Sequence, residues 1–337
     1  MPIVNGSKVM QAVLYMGTGA TQTIAVGFQP DLVWIKSRSA ATDNKLTDSV
    51  RGATKALISN STGAETTDTN GITAFTSNGF TLGSDSVYNT NGATYVAWCW
   101  QAGQGSSSSN TSGSITSTVS VNASAGFSVV TYTGNQTLST VGHGLGVAPA
   151  LIIFKARNNV INWLVYHQSV GATKALYLNL TDAAFTTSGF FNNTAPTSSV
   201  FTVNVALENN GNPYPMVAYC WTPIAGFSAF GSYTGNGSTD GPFVYLGFRP
   251  KFVMVKGASV DVTNWFLHDT ARATYNVDQL NLFPNGSTAE LSDALYSLDE
   301  LANGFKLRTA NSQTNTSGGT YIYMAFAENP LKNALAR

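Results

Sequence analysis

Tyr15-Met-Gly-Thr-Gly, followed by Val26-Gly-Phe-Gln-Pro-Asp-Leu-Val-Trp-Ile-Lys36, occurs three times in this chain in altered form. The second version is Tyr132-Thr-Gly-Asn with Gly144-Leu-Gly-Val-Ala-Pro-Ala-Leu-Ile-Ile-Phe-Lys155. The third is Tyr233-Thr-Gly-Asn-Gly with Leu246-Gly-Phe-Arg-Pro-Lys-Phe-Val-Met-Val-Lys256. The three lysines lie 119 and 101 residues apart. A closing block ends each copy: Thr94-Tyr-Val-Ala-Trp-Cys99, Pro215-Met-Val-Ala-Tyr-Cys220 and Thr320-Tyr-Ile-Tyr-Met-Ala-Phe326. Two landmarks in the same order, three times over, mark tandem copies of one unit. Tandem copies point to display, binding or assembly more than to a single catalytic centre.

The apolar runs Leu32-Val-Trp-Ile35, Leu151-Ile-Ile-Phe154 and Phe252-Val-Met-Val255 are four residues long and follow Pro. That length and context predict central strands buried on both faces. Asn70-Gly71, Asn78-Gly79, Asn91-Gly92, Asn210-Gly211 and Asn303-Gly304 are hairpin-type turn signals. Strand spacing of roughly ten residues predicts an all-β chain of three tandem antiparallel β-sandwich repeats, jelly-roll or lectin-like in kind. The expected boundaries are 1–101 for unit one, 126–225 for unit two and 226–337 for unit three with a C-terminal tail. Residues 102–125, rich in Ser, Gly and Thr, read as a flexible linker. Units two and three are therefore expected to pack closely, with unit one freer. Leu291, Ala294, Leu295, Leu298 and Leu301 have helical spacing, yet the stretch aligns with a strand of unit one, so strand and short helix both stand. Pro330–Arg337 reads as a short helical turn or a frayed end.

At 337 residues, 43% hydrophobic and with zero net charge, the chain is long enough for three cores and unsuited to disorder. Charged residues make up only 10%, against roughly 25% in an ordinary domain. Gly, Ser, Thr and Asn replace them, which suits short strands and many turns. The absence of a Lys/Arg run argues against nucleic acid and anionic membrane as partners. No apolar stretch approaches the ~18 residues of a membrane span. The N-terminus lacks an apolar signal core, so the expectation is a protein retained in the cytoplasm or exported only within a larger particle.

His268-Asp269 resembles half of a catalytic dyad, but its counterparts His167-Gln168 and Thr47-Asp48 differ and no nucleophile elbow accompanies it. A polar pair at a strand end is the preferred reading. The three histidines and two cysteines form no zinc motif, and the acidic residues form no calcium loop, although distant segments could still hold a calcium ion. Cys99 and Cys220 read as small buried hydrophobes, with Ala327 replacing them in unit three. Gly142-His-Gly-Leu-Gly146 precedes a strand and so reads as turn glycines, not a phosphate loop. Candidate partner contacts are the repeated Lys36, Lys155 and Lys256 and the equivalent Trp163 and Trp265. For the lysines the alternative is a cation pairing with the Asp48/Asp269 position; for the tryptophans it is burial in the core rather than a sugar-stacking platform.

Gly27-Phe-Gln-Pro-Asp-Leu-Val-Trp-Ile-Lys-Ser-Arg38, Asp48-Ser-Val-Arg-Gly52, Ser77-Asn-Gly-Phe80 and Tyr95-Val-Ala-Trp98 together resemble a repeated domain of tailed-bacteriophage virion proteins. Phe230–Phe243, Asn303–Arg308 and Tyr321–Pro330 resemble the C-terminal unit of such proteins. The likeness implies a virion structural protein, of tail-fibre or tail-tip type, assembled in the host cytoplasm. Its implied partners are other virion proteins, a host surface glycan or protein, and further copies of itself, with no cofactor and no membrane insertion. The rivals are a head decoration protein and a virion-borne polysaccharide depolymerase. The latter needs two closely placed carboxylates, and 17 acidic residues without a repeated acidic pair weigh against it.

Overall fold

The computed structural model describes residues 5–328, so the expected turn at Pro330–Arg337 lies outside the described residues. In unit one the main antiparallel sheet runs in the order Met10–Met16, Thr94–Trp100, Leu32–Ser37, Lys45–Asp48, Lys55–Ile58, Thr66–Thr67. Unit two repeats it as Phe127–Thr133, Pro215–Trp221, Leu151–Ala156, Leu164–His167, Lys174–Tyr177, Phe185–Thr186. Unit three repeats the first four as Ser228–Thr234, Thr320–Ala327, Pro250–Gly257, Trp265–Asp269. A smaller sheet packs on each main sheet: Gln22–Ala25 with Gly79–Leu82 and Ile72–Thr76, Ser139–Gly142 with Val200–Val203, and Phe243–Tyr245 with Gly304–Leu307 and Leu298–Leu301. The fold is an all-β antiparallel sandwich type.

The period-2 alternation of each closing strand sorts its side chains between two cores. Tyr95, Ala97 and Cys99 face unit one's own small sheet. Val96, Trp98 and Trp100 face a core common to all three units. Unit two divides likewise, with Met216, Ala218 and Cys220 to its own core and Val217, Tyr219 and Trp221 to the common one. Every residue of Leu32–Ser37 and Leu151–Ala156 is therefore buried, as the four-residue apolar runs predict. In the common core Trp100 meets Trp221 at 5.9 Å and Phe326 at 6.0 Å between ring centroids. These three residues hold one register position, opposite Leu32, Leu151 and Phe252. Each such ring contributes roughly 2–3 kcal/mol by burial, so the common core stabilises every unit it joins.

Three expectations fail here. Residues 102–125 are not a flexible linker: Ser108–Asn110 and Ser117–Asn122 add two strands to the edge of unit two's sheet. Asp31 holds the start of this segment, accepting hydrogen bonds from the amides of Ala102 (2.6 Å), Gln104 (2.8 Å) and Gly105 (2.8 Å). Unit one is accordingly no freer than the others, because its main sheet supplies the common core. The register also moves one equivalence. Cys99 and Cys220 correspond to Ala325, not Ala327; both cysteines are free and buried in separate cores. The ambiguous segment contains both structures: Ala294–Tyr296 is one 3-10 turn and Leu298–Leu301 is the strand expected from unit one.

Candidate functional site

The residues singled out as partner contacts lie inside the molecule. Lys36, Lys155 and Lys256 are fully buried, as are Trp163 and Trp265. The lysines do not pair with the Asp48/Asp269 position. Their ammonium groups cap backbone carbonyls instead, as buried donors must. Lys155 donates to Ile161 (2.6 Å), Asn159 (3.3 Å) and, across the joint, Thr62 of unit one (2.8 Å). Lys256 donates to the carbonyl and hydroxyl of Thr263 and, across the next joint, to Thr181 of unit two (2.7 Å). Lys36 donates within its own unit, to Ser37 and Ala40. Burial pulls Lys36 and Lys155 down to about 8 and Lys256 to about 7.

The tryptophans serve the same joints. Trp163 Nε1 donates to Ile58 O of unit one (2.8 Å), and Trp265 Nε1 to Tyr177 O of unit two (3.0 Å). Their counterpart in unit one is Asn44, whose Nδ2 donates to Phe283 O of unit three (3.0 Å). One backbone bond repeats around the same circuit: Glu65 N–H to Arg157 O, Ala184 N–H to Ala258 O, Glu290 N–H to Arg38 O. Unit one thus contacts two, two contacts three, and three contacts one. Equivalent head-to-tail contacts that close are a cyclic threefold arrangement.

The third joint contact is electrostatic and explains the variation at the suspected dyad. Asp48 and Asp269 occupy one register position, and its occupant in unit two is His167, not a His-Gln pair. Asp48 accepts from Tyr219 Oη of unit two (2.8 Å), and Asp269 from Trp98 Nε1 of unit one (3.0 Å). Each carboxylate is also bound by an arginine three residues on, Arg51 or Arg272. Burial is the largest single influence on those guanidinium groups and lowers their pKa values, but Asp48 with Tyr219 and Glu65, and Asp269 with Glu290 and Asp278, together outweigh it and raise both. At the remaining joint the facing residue is Met324, which has no N–H or O–H, and the polar group within reach is the Tyr323 carbonyl. A carboxylate would meet an acceptor there. His167 instead takes the Ser169 amide on Nδ1 and presents Nε2 to Tyr323 O, both at 3.2 Å, which the neutral Nε2–H tautomer satisfies. Burial pulls its pKa down to about 4 against that carbonyl. His268 pairs not with Asp269 but with Asp278, at 3.1 Å. The adjacent Glu300 is buried, and burial followed by Asp278 pushes its carboxyl upward. Glu65 and Glu290 complete the joints through Arg157 and Arg38. Sequence reading missed both, because unit two has Ala184 at that position.

What faces outward in triplicate is the loop after each first strand: Gly17–Thr21, Gly134–Leu138 and Gly235–Asp240. A buried asparagine clasps each one. Asn89 Oδ1 accepts from Thr18 N–H while its Nδ2 donates to Ala20 O and Gly83 O. Asn210 holds Asn135 N–H, Thr137 O and Asn204 O in the same way, and Asn315 holds Asn236 N–H, Ser238 O and Thr309 O. The first residue of each loop must be glycine: a Cβ on Gly17, Gly134 or Gly235 would lie 2.1, 2.3 or 2.2 Å from a carbonyl oxygen. An Asn six residues ahead of Tyr95, Met216 and Tyr321 was the available signal. The loops are backbone-fixed, exposed at their tips and nearly uncharged. A threefold rotation preserves height along its axis, so the three stand at one level of the molecule. No group of three His, Cys, Asp or Glu among the described residues could hold a metal ion.

A family described as a domain of unknown function (DUF7483) matches residues 5–330. The chain belongs to that family. A single family match spans all three units, in keeping with their common core. No curated protein matches the chain, and no solved structure does.

Proposed function

We propose that this protein is a non-enzymatic structural component of a bacteriophage virion, placed at the tail fibre or tail tip, where it contacts the host surface. The observation carrying this reading is the division of labour between inside and outside. Lys155 and Lys256, the Asp48–Arg51 and Asp269–Arg272 pairs and the three equivalent residues Asn44, Trp163 and Trp265 all serve joints between units, while Lys36 donates inside unit one. The outward repeated feature is a set of three rigid loops bearing hydroxyls and carboxamides. Rigid loops bind with less ordering cost, and three at one level favour a repetitive surface by multivalency. The buried Asp278–Glu300 pair points away from solvent, which suits a structural role better than glycoside hydrolysis.

Gold-labelled antibody against the protein, applied to virions, tests the placement. Label at the tail end, with purified protein binding host cells, is the expected result. Label over the capsid without cell binding would make it a head decoration protein, and absence from virions would overturn the reading. Release of reducing ends from host polysaccharide would overturn the non-enzymatic assignment.

A further inference from the structure

We infer that the edge strand Phe243–Tyr245 of unit three is a docking edge for an extended peptide segment of a partner protein. The inference does not depend on the virion assignment. The three units treat this edge differently. In unit two the equivalent strand, Ser139–Gly142, is covered by the chain's own residues 113–115: Ile115 pairs in parallel with Val141, its N–H donating to Thr140 O (3.0 Å), while Thr140 N–H donates to Ser114 Oγ (2.9 Å). Both backbone groups of Thr140 are thus taken up by an incoming strand. Thr140 pairs with Thr202 as Phe243 pairs with Lys306, so Phe243 occupies the same edge position. In an antiparallel sheet, alternate residues of an edge strand turn N–H and C=O away from the sheet. On Phe243–Tyr245 those residues are Phe243 and Tyr245, flanking the in-sheet Val244.

The side chains mark this edge out from its counterparts. Phe243 is 44% exposed and Tyr245 66%, on the same outer face. In unit one the corresponding residues are Thr23 and Ala25, facing Thr81 and Gly79. Edges are ordinarily blunted by small, charged or covered residues, and unit one follows that rule. Unit three instead carries two rings beside Gly304, with Lys306 bound to Asp240 (2.8 Å) and Arg308 to Asp299 (2.9 Å) at the rim. The rim charges cancel, which fits an uncharged segment. The occupant is therefore an extended, neutral peptide that adds one strand by main-chain hydrogen bonds and lays apolar side chains on Phe243 and Tyr245, the β-augmentation mode of recognition.

The test is selection of displayed random decapeptides on the full-length protein, followed by amide exchange with the best peptide. Two variants accompany it. Phe243→Pro removes the outward N–H but no in-sheet bond. Phe243→Thr/Tyr245→Ala installs the residues of unit one, a pattern this fold already accepts. We expect neutral peptides with alternating apolar residues, slowed exchange at Phe243 and Tyr245 but not at Thr23 and Ala25, and at least a tenfold loss of affinity in both variants. Peptides that bind equally well to both variants, or no enriched peptide, would overturn the inference. Binding of neutral oligosaccharides that Phe243→Thr/Tyr245→Ala abolishes and Phe243→Pro spares would also overturn it, assigning the rings to a sugar. Loss of the folded signal in Phe243→Pro leaves the double variant to decide.

Discussion

At the scale of single residues, the joints depend on matching donors to acceptors in a dry interior. His167→Asp puts a carboxylate against the Tyr323 carbonyl, and urea unfolding should show a loss of about 3 kcal/mol. Adding Met324→Trp supplies the indole donor that Asp269 enjoys at its own joint, and should recover part of that loss. Arg51→Met strips Asp48 of its counter-ion and should cost about 3–5 kcal/mol by the same measurement. The pH dependence follows from the buried bases. His167 is neutral in the fold down to about 4, whereas the unfolded chain takes up its proton near 6.5. The unfolded state binds more protons in that window, so this residue's contribution to stability falls as pH drops from 6.5 to 4. Lys36, Lys155 and Lys256 lose their protons at about 8, 8 and 7 in the fold and near 10.5 when unfolded. The contribution of these three lysines to stability should therefore rise with pH between 7 and 10. Thermal melts across both windows check the two slopes, and His167→Gln should flatten the acid one.

At the scale of elements, the strands were legible where local pattern and burial agree. Leu32-Val-Trp-Ile35 and its two counterparts are central strands because both faces of the main sheet are covered, which a continuous apolar run announces. Asn78-Gly79 and Asn303-Gly304 do join the strands of tight hairpins, while Asn91-Gly92 follows the short helix Ser86–Asn89 and Asn210 ends the short helix Leu207–Asn210, elements of four residues that no periodicity could reveal. Residues 102–125 were illegible for a definite reason. Their composition is that of a solvated linker, and their order comes from distant partners: the Asp31 carboxylate and the open edge of unit two. Asp31→Ala should release the amides of Ala102, Gln104 and Gly105, and limited proteolysis should then cut within 103–116, a region expected to resist cleavage in the parent protein. The candidate contacts were found by repetition but misassigned by it, since a position kept in three copies can serve the joints among those copies.

At the scale of the whole molecule, the three units share too much core to be independent. Trp98, Trp100, Tyr219, Trp221, Phe252 and Phe326 would all face water in an isolated unit. Calorimetry should show one cooperative transition for the full chain, and residues 103–225, which keep both edge strands of unit two, should fail to give a folded monomer when expressed alone. Two resolved transitions, or a stable isolated unit two, would contradict a common core.

The closed circuit of joints also bears on dilution and on inheritance. A ring built from three separate chains falls apart below its dissociation constant, whereas a ring threaded on one backbone keeps its geometry at any concentration, even as a single molecule. A change in a three-chain ring appears in every position at once. Here each joint and each edge can change alone, which is how one joint can hold a histidine between two that hold aspartates, and how aromatic rings can stand on one edge out of three.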